Sequence, residues 1–140
     1  MHRLLFAAAL SAATFAAHAA EGADLTVTLS DVRNDRGHLF VAVENTEEGW
    51  NFKAESVTQT KLPAAKGDIT HVFADLPPGK YAVMVIHDEN ENGKLDSNFL
   101  GIPSEGYGFS QNPRVMRRAT FQEALFELPA GGATVQIELR

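Results

Sequence analysis

The 140-residue chain has no cysteine, a single tryptophan, and fewer basic residues (12) than acidic ones (18). Without cysteine there are no disulfide bonds to staple the fold and no thiol to carry a lipid anchor. A formal charge of −6 argues against a nucleic-acid partner, because phosphate backbones are gripped by basic surfaces. No run reaches the roughly 20 apolar residues that a membrane-spanning helix requires. A G-x-S-x-G nucleophile elbow, a phosphate-binding loop, a dinucleotide fingerprint and H-x-H or H-E-x-x-H spacing are all missing. Long helical periodicity, internal repeats and low-complexity tracts are missing as well.

What is present begins with a leader. Arg3 precedes an apolar run from Leu4 to Ala17, and Ala17-His18-Ala19 has the small-residue pattern of a cleavage site. Residues 1–19 are therefore expected to be a signal peptide. Residues 20–140 are expected to form one domain, periplasmic or secreted, with no membrane span in the mature chain. That length suits a single core.

Strand patterns dominate the remainder. Leu25, Val27 and Leu29 alternate with Thr26, Thr28 and Ser30, the period of a half-buried strand. Asn34-Asp35-Arg36-Gly37 supplies turn residues, and His38 to Glu44 reads as the second strand of a hairpin. Asn45 to Glu55 reads as a short helix or ordered loop in which Trp50 and Phe52 cap one end of the core. Further strands are expected at Ser56–Leu62, Ile69–Ala74, Lys80–His87, Thr120–Leu128 and Thr134–Leu139. Lys80–His87 is apolar on both faces, which points to a central position. The sum is an all-β fold: a single immunoglobulin-like or transthyretin-like β-sandwich of about seven strands with a long irregular loop.

One stretch carries a specific chemical signal. Asp88, Asn90 and Asn92 alternate, Gly93 follows, and Asp96 comes three residues later. In a twelve-residue calcium loop, oxygen ligands occupy positions one, three, five and nine, glycine turns the chain at six, and a backbone carbonyl serves at seven. Counting from Asp88 fills these slots with Asp88, Asn90, Asn92, Gly93, Lys94 and Asp96. Slot twelve needs a bidentate carboxylate but holds Phe99, so the set is complete only if a residue such as Asn98 or Glu105 swings in. The expected cofactor is calcium, bound weakly. The competing reading is a turn capped by its own Asn and Asp side chains.

The stretch from Phe99 to Arg118 is irregular, and long irregular loops in small domains are often functional. Tyr107 and Phe109, set among Gly106 and Gly108, are candidate contacts for a protein or carbohydrate partner; the alternative is that the rings cover a sheet edge. Arg114, Arg117 and Arg118 offer either an anion site or a solvated face paired with acids. His71 and His87 offer a base beside Asp88, or metal ligands, or strand histidines bonded to a neighbouring carboxylate.

Two resemblances arise from these blocks. Phe73, Leu76-Pro77, Gly79, Tyr81 and Val83 resemble a hairpin motif of transthyretin-like and carboxypeptidase regulatory-like domains, which implies a seven-stranded immunoglobulin-like sandwich. The hydroxyisourate hydrolases of that fold carry a C-terminal Tyr-Arg-Gly-Ser. This sequence ends Gln136-Ile137-Glu138-Leu139-Arg140 instead, so the activity is not expected here. The longer string, from Leu76-Pro77-Pro78-Gly79 through the acidic loop to Leu100-Gly101-Ile102 and Glu105–Ser110, resembles the bacterial exported family catalogued as domain of unknown function family 2141. That family implies no activity. The reading is an exported, non-enzymatic binding or accessory module with a calcium-stabilised loop. The alternatives are a hydrolase or metal-dependent enzyme using His87, Asp88 and Glu105, and a purely structural envelope protein.

Overall fold

The computed structural model describes residues 21–140, so the leader expected at 1–19 lies outside the described residues. The chain runs β1 (Ala23–Val32), β2 (His38–Glu44), α1 (Glu47–Trp50), β3 (Thr58–Pro63), β4 (Gly67–Leu76), β5 (Gly79–Asp88), β6 (Tyr107–Phe109), α2 (Phe121–Ala124), β7 (Phe126–Leu128) and β8 (Ala133–Glu138). One sheet has the order β4-β1-β8. The other has the order β3-β2-β5-β6, with β7 also paired to β5. The fold is all-β, built from two sheets and eight strands, two of them only three residues long. No described helix is long and apolar enough to cross a membrane.

The alternating residues of the first strand do what their period demands. Leu25, Val27 and Leu29 are buried against Leu39, Val41 and Val43 of β2 and Tyr81, Val83 and Val85 of β5, and this cluster is the main core. Each fully buried Leu or Val contributes roughly 1.5–3 kcal/mol relative to exposure. β8 returns parallel to β1 and adds Ile137 to the same core.

β5 is central, as its two apolar faces imply. It pairs antiparallel with β2 on one side and with β6 and β7 on the other. Its outer face, Ala82 and Met84, is covered by a second cluster containing Trp50, Phe109, Ala119, Phe121 and Ala124. Trp50 is buried and donates its indole N–H to the Ala119 carbonyl at 3.0 Å. Phe52 departs from expectation. It is 70% exposed with φ 58°, and the Arg118 guanidinium lies 4.7 Å from its ring centre.

The strand expected over Thr120–Leu128 is broken. Thr120 caps α2 and the Glu123 side chain answers on the Thr120 N–H, so a capping box turns the chain before β7 begins.

Candidate functional site

β5 ends at Asp88, and the strand pairing decides what stands beside that end. His38 is paired with Asp88, so the β1–β2 turn, residues 33–37, is held against the start of the acidic loop. Gly37 makes this approach possible, since a Cβ there would overlap the Asp88 carbonyl oxygen.

The loop organises itself around three carboxylates. Asp88 is buried; one of its oxygens accepts the Asn92 N–H at 3.1 Å and the other accepts the Gly93 N–H at 2.8 Å. Asn90 and Asn92 aim their amide groups at Asp96, at 2.6 Å and 2.7 Å. Their carbonyl oxygens accept the N–H groups of Asn92 and Lys94. The hydrogen bonds from Asn92 and then Asn90 hold the Asp96 carboxyl below the usual aspartate range. Glu105 returns from the far end of the segment and is buried. One oxygen accepts the Glu89 N–H at 3.0 Å and the Asn90 N–H at 3.4 Å, while the other accepts the Asp96 N–H at 3.0 Å.

The structure therefore brings together Asp88, Asn90, Asn92, Asp96 and Glu105. Lys94 is exposed within the same turn. Phe99, at the twelfth slot, is 96% exposed and takes no part. Glu105 fills the gap left by Phe99 as a brace for backbone amides, with both oxygens so engaged. Among the described residues no three His, Cys, Asp or Glu side chains are grouped to hold a metal ion; the cluster around Asp96 depends on the two asparagines.

A neighbouring acid was not legible as a site residue. Glu89 accepts Asn34 Nδ2 at 2.8 Å and pairs with Arg36 at 2.7 Å and Arg33 at 3.1 Å. Burial pushes its carboxyl up, but the Asn34 hydrogen bond and the cations Arg33 and Arg36, with His87 alongside, outweigh it and hold it below the usual range. The cue was available in the pairing of β2 with β5: residues just before His38 must lie beside residues just after Asp88.

The glycine-aromatic segment packs inward. Phe109 is buried, with Trp50 5.6 Å away ring to ring, so it cannot offer its face to a partner unless the second core opens. Tyr107 is half-buried and packs on Phe109 at 5.7 Å. Two arginines of the 114–118 cluster are paired with acids: Arg114 with Glu138 at 2.9 Å and Arg117 with Glu123 at 2.8 Å. Arg118 donates to the Trp50 carbonyl. His71 lies on β4, edge-on to Phe73, in the sheet opposite His87. His87 is fully buried; its Nε2 is bonded to the Arg36 carbonyl at 2.8 Å, and its Nδ1 lies 4.0 Å from Glu89.

The ordered run from the β5 hairpin through the acidic loop to the glycine-aromatic segment thus forms one continuous unit. The sequence profile of a family described as an uncharacterized protein conserved in bacteria, DUF2141, matches residues 27–137. The chain belongs to DUF2141. The match spans β2 to β7 entire and most of β1 and β8, so the acidic loop lies within the family's own segment. No curated protein matches the chain, and no solved structure does.

Proposed function

We propose that the protein is an exported, non-enzymatic binding or accessory module whose 88–96 loop is stabilised by calcium. The observation that carries this reading is the convergence on Asp96. Its carboxylate faces the side-chain amides of Asn90 and Asn92, while Asp88 ties down the backbone of Asn92 and Gly93. All the donors are hard oxygens or sit on side chains that carry one, which suits calcium over softer metals. In this form the two NH₂ groups supply the positive partner that Asp96 requires. A half-turn of each amide would present oxygen instead, and the Lys94 carbonyl and a Glu105 oxygen would complete the set.

The leader-like residues 1–19 support export to the periplasm or medium, and the two-sheet architecture supports a transthyretin-like or immunoglobulin-like sandwich. The partner in this reading is a protein or carbohydrate, with half-buried Tyr107 as the contact to test first.

The test is a thermal melt with and without calcium. At millimolar affinity, calcium at about ten times Kd stabilises by about 1.4 kcal/mol, a shift of several degrees. Asp96→Asn should abolish the shift while the variant still melts cooperatively. An unchanged melt with EDTA or millimolar calcium, and no heat in titration, overturns the ion reading. That result would favour a purely structural envelope protein, a reading to which the burial of Phe109 and the backbone-bracing role of Glu105 lend support.

A further inference from the structure

Beyond Asp96 the chain rises into a tip that the fold leaves uncovered. Phe99, Leu100 and Ile102 are 96%, 68% and 57% exposed. Three large apolar side chains on four consecutive residues form a contiguous patch, which marks an interaction surface rather than ordinary surface scatter. No charged residue occurs between Asp96 and Glu105.

The backbone of this tip is closed on itself. Asn98 Oδ1 accepts the N–H groups of Leu100 at 2.9 Å and Ile102 at 3.1 Å, and the Asn98 carbonyl accepts that of Gly101 at 2.9 Å. The Asn98 N–H donates to the Ile102 carbonyl at 2.8 Å, and Pro103 has no N–H to satisfy. A segment that enters hydrocarbon must satisfy its polar backbone internally, because nothing there will do so from outside. A segment that remains in water has no such need.

The shape also selects the occupant. The tip is convex, so it needs either a socket or a soft medium. The chain's own concavities are poor sockets: one of about 530 Å³ is acidic, with Glu21, Asp24 and Asp75, and another of about 310 Å³ carries Gln111, Asn112 and Glu127. A second copy therefore offers the tip no apolar seat.

We propose that Phe99, Leu100 and Ile102 form a wedge that inserts into the interfacial region of a phospholipid bilayer. The wedge stands on the acidic loop. Ser97 bridges to Pro103, the Ser104 N–H reaches the Asp96 carbonyl at 2.8 Å, and the Asp96 N–H reaches Glu105. A cation held at Asp96 would face the lipid phosphates and offset the repulsion between an acidic protein and an anionic surface. That calcium dependence rests on the reading above; the wedge does not.

The experiment is flotation of the purified protein with vesicles of phosphatidylcholine and phosphatidylglycerol, in millimolar calcium and in EDTA. The wild type should float. A Phe99→Ser, Leu100→Ser, Ile102→Ser variant with the same N-terminus should partition at least about tenfold more weakly while melting like the wild type, since all three side chains are exposed. Phe99→Trp gives a second readout. Native Trp50 is buried, so a blue shift on adding vesicles reports the tip. Tip-dependent flotation that calcium strengthens supports both readings. Tip-dependent flotation indifferent to EDTA supports the wedge and counts against the calcium loop. Absence of flotation, or flotation that the triple variant retains, overturns the wedge, even if calcium still raises the melting temperature. Tip-dependent self-association without vesicle binding overturns it in favour of a protein occupant.

Discussion

The carboxylate of Glu105 accepts the backbone N–H of Asp96 at 3.0 Å, across nine positions of chain, and its other oxygen accepts that of Glu89 at 3.0 Å. One buried side chain thereby clamps both ends of the acidic loop. Glu105→Ala should leave these N–H groups without their partner at the base of the loop. Unsatisfied buried donors cost about 1–3 kcal/mol each, and water can reach some of them, so a net loss of about 2–4 kcal/mol is expected in urea unfolding. Glu105→Gln keeps one acceptor oxygen but turns an NH₂ toward N–H groups, and it should fall between Ala and wild type. An alanine variant within about 0.5 kcal/mol of wild type would show that the clamp does not bear on stability.

Two glycines with similar backbone angles should respond very differently to alanine. Gly37 has φ 67° and Gly93 has φ 80°, both in the left-handed region. A Cβ on Gly93 meets nothing within 4 Å, so Gly93→Ala should cost only the conformational strain, about 1 kcal/mol. A Cβ on Gly37 runs into the Asp88 carbonyl, which cannot move without breaking the β2–β5 register. Gly37→Ala should cost about 3 kcal/mol or more and disturb the loop from its root. Equal losses at the two positions would mean that the β1–β2 turn does not press on Asp88.

Local pattern carried much of the fold. Period-two alternation located β1, and His38 to Glu44 coincides with β2 from end to end. The unbroken apolar face pair of β5 announced its central place. Features set by short-range polar chemistry within an apolar stretch were harder. Thr120 and Glu123 form a capping box that overrides the strand propensity around Phe121, a cue present in the spacing but masked by the aromatic and leucine residues. Phe52 was assigned to the core by size, yet Trp50 fills that volume and Phe52 turns outward. At the site, the alternating Asp and Asn residues marked the loop, but the role of Glu105 depends on a return of the chain that no local pattern encodes. The Arg33–Glu89–Arg36 cluster likewise follows from strand pairing, since its members lie more than fifty positions apart.

Glu44 gives the protein a pH dependence with a definite sign. It is buried at the end of β2, where it accepts the Ser56 hydroxyl at 2.5 Å. Burial pushes its carboxyl above the ordinary value of 4.5, and the Ser56 hydrogen bond and the Arg118 charge only partly restore it. The unfolded chain releases this proton near the ordinary value and the folded chain releases it higher. Glu44's contribution to stability is therefore complete below about 4.5 and is lost as pH rises through the folded value. Glu44→Gln cannot ionise, so it should remove this slope. It should also impose a pH-independent offset from the lost attraction to Arg118. Urea unfolding of both proteins from about pH 4 to 8 should give a wild-type-minus-variant difference that declines with rising pH and then levels off. Ser56→Ala should shift the decline further upward and lower stability at neutral pH by about 1 kcal/mol. A flat difference curve would mean that Glu44 titrates alike in the folded and unfolded chains, and that solvent reaches it despite its place beneath α1.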